Sequence, residues 1–143
     1  MREILFRGKR LDNGEWVEGW YQPETTIKHW NGIQETVGVT IAYKAEDGFL
    51  EGTLVDPSTV GQYTGLTDKN GKRIFEGDVV KTSDVTHEDV IQIPGELFAI
   101  ELRKGCWTMV CGQNWDFLET NYRYVEVIGN IHDNPELLKG GEG

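Results

Sequence analysis

Two cysteines, Cys106 and Cys111, and three histidines, His29, His87 and His132, are the residues best suited to metal or nucleophilic chemistry. Zinc held by Cys106, Cys111 and His132 would call for Cys-x-x-Cys or His-x₃₋₅-His spacing, and the chain has neither. Cysteines packed as small apolar side chains are the simpler reading. Asp68-Lys69-Asn70-Gly71 gathers oxygen donors as calcium loops do. Its glycine falls fourth rather than sixth, however, and Val79 stands where the twelfth position needs Glu. Gly65 to Arg73 has the outline of a phosphate-binding loop, but five residues separate its glycines and Arg73 replaces the magnesium-binding hydroxyl. A strand follows it, so no helix N-terminus is offered to phosphate.

Other catalytic patterns fail in the same way. Neither serine, Ser58 nor Ser83, lies in a Gly-x-Ser-x-Gly elbow. His87 sits among Asp84, Glu88 and Asp89 in a loop-like stretch, with no nucleophile beside it. Glu76 and Asp78 are paired carboxylates, which do acid–base work only inside a cleft. The basic spot is Arg7, Lys9 and Arg10, interleaved with Phe6, Trp16, Trp20 and Tyr21. Such a mixture can stack bases and neutralise phosphates. Asp12, Glu15 and Glu18 fall in the same hairpin and cancel the charge, so the aromatics read as core or as a protein interface. The expectation is a chain with no catalytic, cofactor-binding or metal-binding residue.

Charge points the same way. The 143 residues carry a formal charge of −10. Residues 1–30 balance five acids against five bases, whereas residues 31–143 hold nineteen acids and nine bases. From Asp84 to Glu101 there are five acids and no Lys or Arg. A surface of that sign repels phosphate and reads as a solvated face. No run of apolar residues is long enough to span a membrane, and the start is too polar for a signal-peptide core, so a cytoplasmic location is expected. Free cysteines suit a reducing compartment.

The elements that must position these residues read as mainly β. Asp12-Asn13-Gly14, Asn31-Gly32, Asp47-Gly48 and Asn70-Gly71 lie between aromatic and β-branched segments, a pattern that predicts hairpins with type I′ turns. Alternating apolar residues predict strands over 74–81, 90–93, 97–102, 106–111 and 124–131. Asn114 to Asn121 predicts a turn or two of helix, with Asn114 as its cap. Five short strands with a helical turn before the fifth is the layout of an SH3-like barrel. The expected organisation is an N-terminal hairpin region over 1–66, a C-terminal barrel region over 67–138 and a disordered tail at 139–143. Thr36 to Tyr43 is uncharged and strand-prone, so it predicts an exposed edge and a homo-oligomer.

Three segments carry a resemblance to the YopX family of phage and prophage proteins. They are Arg2-Glu3-Ile4-Leu5-Phe6-Arg7-Gly8-Lys9, the long run from Gly61-Gln62-Tyr63-Thr64-Gly65 through Asp68-Lys69-Asn70-Gly71 to Asp78-Val79-Val80, and Tyr124 through Gly129-Asn130-Ile131-His132-Asp133-Asn134-Pro135 to Leu138. The resemblance implies a mainly β fold and expression inside a bacterium, and it supplies no catalytic residue. Together with the lack of catalytic motifs, the expectation is a non-enzymatic phage accessory protein that binds another protein, host or phage. An acidic mimic that blocks a nucleic-acid-binding protein is the alternative, with a small hydrolase-like enzyme behind it. Negligible binding to random duplex DNA at physiological salt is expected from the charge. Fluorescence anisotropy checks this, and micromolar, salt-sensitive binding would contradict it.

Overall fold

Hairpin loops decide where each strand ends and which residues face each other. A computed structural model of the chain describes residues 4–82 and 97–139. It divides into two units, Met1–Gln62 and Tyr63–Gly143. The fold is mainly β, with two antiparallel sheets.

In the first unit, β1 (Phe6–Lys9), β2 (Trp16–Lys28), β3 (Gln34–Lys44) and β4 (Leu50–Leu54) lie in the order β4-β3-β2-β1. After β4 the chain returns to β1: Leu11 N–H donates to the Leu54 carbonyl, Asp56 N–H donates to the Lys9 carbonyl, and Arg10 bridges Val55. A 3-10 turn at Pro57–Thr59 leads to β5 (Gly61–Thr67), whose first two residues pair with β1. Ile41 and Val55 are fully buried here. Gly19 is required by close approach, because a side chain there would collide with the Ala42 carbonyl oxygen.

The expected type I′ turns are not what the Asn-Gly and Asp-Gly pairs form. In the loop between β2 and β3, His29 N–H donates to the Ile33 carbonyl and Gly32 N–H to the His29 carbonyl. The Ala45–Phe49 loop repeats this arrangement, as does Asp68–Lys72 in the second unit. Each is a three-residue loop whose glycine, with φ of +86°, +89° and +83°, supplies the left-handed position of a bulge. The Asn or Asp before the glycine bonds the backbone two residues on in the first two loops: Asn31 Oδ1 accepts from Ile33 N–H and Asp47 Oδ1 from Phe49 N–H. That local bond favours the longer loop over the two-residue turn. Two consecutive positive φ angles occur instead at Lys104 and Gly105.

In the second unit the rest of β5 pairs with β6 (Arg73–Phe75). A five-stranded sheet follows, built from β7 (Asp78–Thr82), β8 (Leu97–Arg103), β9 (Cys106–Cys111), β10 (Asn114–Phe117) and β11 (Val125–Asn130) in the order β10-β9-β8-β7-β11. Short helices α1 (Leu118–Asn121) and α2 (Glu136–Lys139) complete the unit, with a 3-10 turn at Tyr122–Tyr124. The predicted strand over 74–81 is two strands, broken where Gly77 turns with φ +89°. The predicted helix over 114–121 is a strand for its first half. Gly112, at φ +61°, reverses the chain tightly enough to pair Asn114 with Cys111. The ladder is open between β10 and β11, so closure into a barrel is not seen among the described residues. The strand predicted over 90–93, most of the acidic run, His87, Ser83 and the last four residues lie outside the described residues.

Alternation places Phe98 and Ile100 of β8 on one face with Val80, Met109 and Val127, and Ile74, Leu118 and Val125 complete that core. What ties the β5–β6 hairpin to it is a carboxylate. Asp68, 5% exposed, accepts from Asn70 and Lys72 N–H through Oδ1 and from Val127 N–H through Oδ2, each at 2.9 Å. Lys69 N–H donates to the Val125 carbonyl alongside. Asp68→Ala is expected to cost about 2–4 kcal/mol in urea denaturation, since the buried Val127 N–H loses its acceptor. Asp68→Asn should not rescue it, because an amide NH₂ would face a donor.

Candidate functional site

Polar residues of the central and final segments are bound to backbone. Thr64, 1% exposed, donates its hydroxyl hydrogen to the Ile74 carbonyl across a bulge. Asp78, also 1% exposed, accepts from Phe75 N–H at 2.7 Å, so it braces the turn that Glu76 occupies. Asn130 Oδ1 accepts from His132 and Asp133 N–H, and its amide donates to Asp133. Side chains in these roles build loops. Cys106 is exposed and Cys111 half-buried, and neither is part of a disulfide. Among the described residues no three His, Cys, Asp or Glu side chains group as a metal site would require.

The basic and aromatic N-terminal stretch is brought together, but largely satisfied from within. The Arg7 guanidinium lies 4.5 Å from the Trp16 ring centre, and the Lys9 ammonium lies 5.8 Å from it. Trp16 thus packs against the chain's own cations, where a nucleobase would have to stack. Phe6 and Tyr21 meet at 5.1 Å. Arg10 turns away to a bidentate pair with Asp12, through Nε at 3.0 Å and a terminal nitrogen at 2.8 Å. That hydrogen-bonded pairing holds the Asp12 carboxyl below its ordinary range and pushes the Arg10 guanidinium up.

This pair forms one wall of a hollow of about 660 Å³ on the first unit. Leu11, Gln22, Thr40, Tyr43, Glu51 and Leu54 supply most of the rest. The register of β3 on β4 sets Tyr43 opposite Glu51, and the tyrosine hydroxyl donates to Oε2 at 3.0 Å. Register of β2 on β3 likewise sets Gln22 opposite Thr40, whose hydroxyl donates to Oε1 at 2.8 Å. Sequence reasoning singled out Arg10 and Asp12 but missed Tyr43, Glu51, Gln22 and Thr40. They come from three strands, and only the pairing unites them. Arg10 is charge-matched by Asp12, so Glu51 gives the hollow one negative charge in excess. It offers a visitor hydrogen bonds, apolar contact with Leu11 and Leu54, and attraction for a cation.

The second unit shows an aromatic pair at its edge, Trp115 and Phe117 of β10, with ring centres 5.2 Å apart and nearly perpendicular. The strand's backbone is guarded there. Phe117 N–H donates to the Asp116 carboxylate, and its carbonyl accepts from the Asn121 amide. An edge strand capped by its own side chains resists pairing with another chain.

The Asp12 carboxyl is expected to titrate below the usual aspartate range by NMR, and Arg10→Gln should return it upward. Because the folded value is the lowered one, the pair stabilises above the unfolded-state pKa. That contribution is lost as pH falls through the folded value.

Comparison with known proteins adds fold and family. No curated protein matches the chain. The crystal structure of protein EF1440 from Enterococcus faecalis is similar to it, with a TM-score of 0.53 and 23% identity over 96% of this chain and 99% of that one. At that identity the likeness is one of fold. The family model described as YopX protein matches residues 5–139. Nearly the whole chain is covered, and the protein belongs to the YopX family.

Proposed function

We propose that this YopX-family protein is a non-enzymatic accessory protein of a phage or prophage that binds a protein partner in the bacterial cytoplasm. The observation that carries this reading is the hollow on the first unit. Its charged and polar groups are matched to one another, while Leu11 is 63% exposed and Leu54 37% exposed on its walls. Phe49 and Leu50, at the start of β4, are 72% and 68% exposed. Apolar surface of this kind beside fixed hydrogen-bonding groups is the make-up of an interface. One excess carboxylate and a chain charge of −10 favour a partner that presents a basic side chain.

A nucleic-acid mimic would need acids repeated along a ridge with phosphate-like spacing. Here Asp12, Glu35, Glu101 and Glu126 each lie within ion-pair distance of a cation or histidine, which favours the first reading. No helix among the described residues is long and apolar enough to cross a membrane. For the second unit, the order β11-β7-β8-β9-β10 with helical turns before the last strand supports an SH3-like relationship. It is an analogy of fold and brings no activity with it.

Affinity capture from bacterial lysate tests the proposal. The wild-type chain should retain a specific protein that Leu11→Asp and Glu51→Arg each release, with circular dichroism unchanged. Capture of the same proteins by all three, or of none by the wild type, would reject it.

A further inference from the structure

The edge expected at Thr36 to Tyr43 is in part interior to the sheet. From Thr40 onward β3 has β4 on one side, and Thr40–Ala42 pair with β2 on the other. The outermost strand is β4, whose ladder is with β3 alone among the described residues. Opposed residues in an antiparallel ladder alternate between exchanging hydrogen bonds and exchanging none. Here the register fixes which is which. Val55 N–H donates to the Val39 carbonyl and Ala45 N–H to the Phe49 carbonyl. The bonded pairs between them are therefore Ile41 with Thr53 and Tyr43 with Glu51. Leu50, Gly52 and Leu54 turn their N–H and carbonyl groups away from β3, and the Leu54 carbonyl accepts from Leu11 N–H on that outer side.

At Leu54 the outer side of β4 is occupied, and beyond it the edge is open. Lys9–Leu11 lies along residues 54–56, with Asp56 N–H on the Lys9 carbonyl and Arg10 bridging Val55. Past Leu11 the chain turns back, since Arg10 N–H donates to the Glu15 carbonyl and Gly14 N–H to the Arg10 carbonyl. No described residue continues the line of Lys9–Leu11 to Gly52 and Leu50, whose outward groups have no backbone partner among the described residues. The usual guards of an edge strand are missing too, because Phe49–Leu54 holds neither proline nor lysine. Gly52 is exposed, and a side chain added there would meet nothing within 4 Å. Phe49 and Leu50 leave most of their apolar surface in water.

We propose that β4 accepts an extended segment of a partner protein as an antiparallel strand, with a Lys or Arg of that segment opposite Glu51. The segment takes up the line that Lys9–Leu11 leaves. Two of its residues exchange backbone hydrogen bonds with Gly52 and Leu50, which is how strand addition gains affinity. The residue between them falls in a non-bonded pair, where side chains approach most closely. Opposite it stands Glu51, the excess carboxylate of the hollow, held by the Tyr43 hydroxyl. Charge selects the occupant. Lys44–Leu54 holds three acids, Glu46, Asp47 and Glu51, against the single base Lys44. A second copy of β4 in this register would set Glu51 directly against Glu51, a like-charge pair that destabilises a ladder. The inference deepens the partner-binding reading and rests on it for the charge of the hollow.

The probe is the peptide acetyl-Thr-Val-Lys-Val-Thr-amide, titrated to millimolar concentration into the isotope-labelled 143-residue chain and followed by NMR. The Leu50 and Gly52 amide resonances should shift, and their hydrogen exchange should slow. Methylating the two valine nitrogens should abolish both effects, and Glu in place of Lys should weaken binding about tenfold. Gly52→Pro removes an outward N–H and leaves the β3–β4 bonds in place, so it should fold and lose the peptide. Gly52→Ala keeps that N–H and should bind as the wild type does. Shifts that miss Leu50 and Gly52, or that survive N-methylation, overturn the proposal. So does a light-scattering mass of two copies that Gly52→Pro returns to 16.2 kDa, since the edge then belongs to a second copy. Lysate capture separates this inference from the reading it rests on. A protein lost by Leu11→Asp but kept by Gly52→Pro would leave the hollow standing and reject strand addition. Capture of nothing by a wild-type chain that still binds the peptide would do the reverse.

Discussion

The second unit hangs on the Asp68 carboxylate. A hairpin between β5 and β6 has few pairs of its own, Tyr63 with Phe75 and Thr67 with Arg73, because a bulge interrupts the ladder. One carboxylate bonding both its own loop and Val127 joins residues 59 positions apart and fixes the hairpin against the last strand. An anion inside a protein is costly unless its lone pairs are filled, and three amide hydrogens fill them. The same condition makes the position intolerant: the acceptor that closes the loop is also what the buried amide of Val127 needs.

That bond explains the long central family motif. From Thr64 to Asp78, the hydroxyl bridges a bulge, Asp68 holds the loop, Gly71 and Gly77 take left-handed conformations, and Asp78 braces the turn into β7. The final motif behaves likewise, with Asn130 gathering the amides that follow β11. A motif rich in Asp, Asn and Gly invites a search for metal or phosphate. The same residue types also end strands and fill orphan amides, and in this chain they do so.

How far the sequence could be read follows from which interactions are local. Alternation in Leu97–Leu102 and Cys106–Cys111 is a property of neighbouring residues, so those strands and their shared core were legible. Whether Asn-Gly opens a two-residue turn or a three-residue loop depends on one hydrogen bond from an Asn or Asp side chain, and composition alone does not separate the two. Asn114–Phe117 read as helix because Asn114 is a good cap residue; the tight reversal at Gly112 overrides that local signal by supplying β9 as a partner. The hollow was least legible. Arg10 and Asp12 are close in sequence, but Tyr43 meets Glu51 only through the pairing of β3 with β4.

The loop hydrogen bonds also bear on how the chain ages. An Asn-Gly sequence loses ammonia when the glycine nitrogen attacks the asparagine side-chain carbon, forming a cyclic imide that water reopens to Asp or isoaspartate. In each of the three Asn-Gly loops that nitrogen is held as a donor: Gly14 to the Arg10 carbonyl, Gly32 to the His29 carbonyl and Gly71 to the Asp68 carbonyl. At Asn13 and Asn31 the side-chain oxygen is also held, by the amides of Glu15 and Ile33. Rotation into the attacking geometry must break these bonds first. The loops that fix strand register therefore also slow the covalent decay of the sequences that form them.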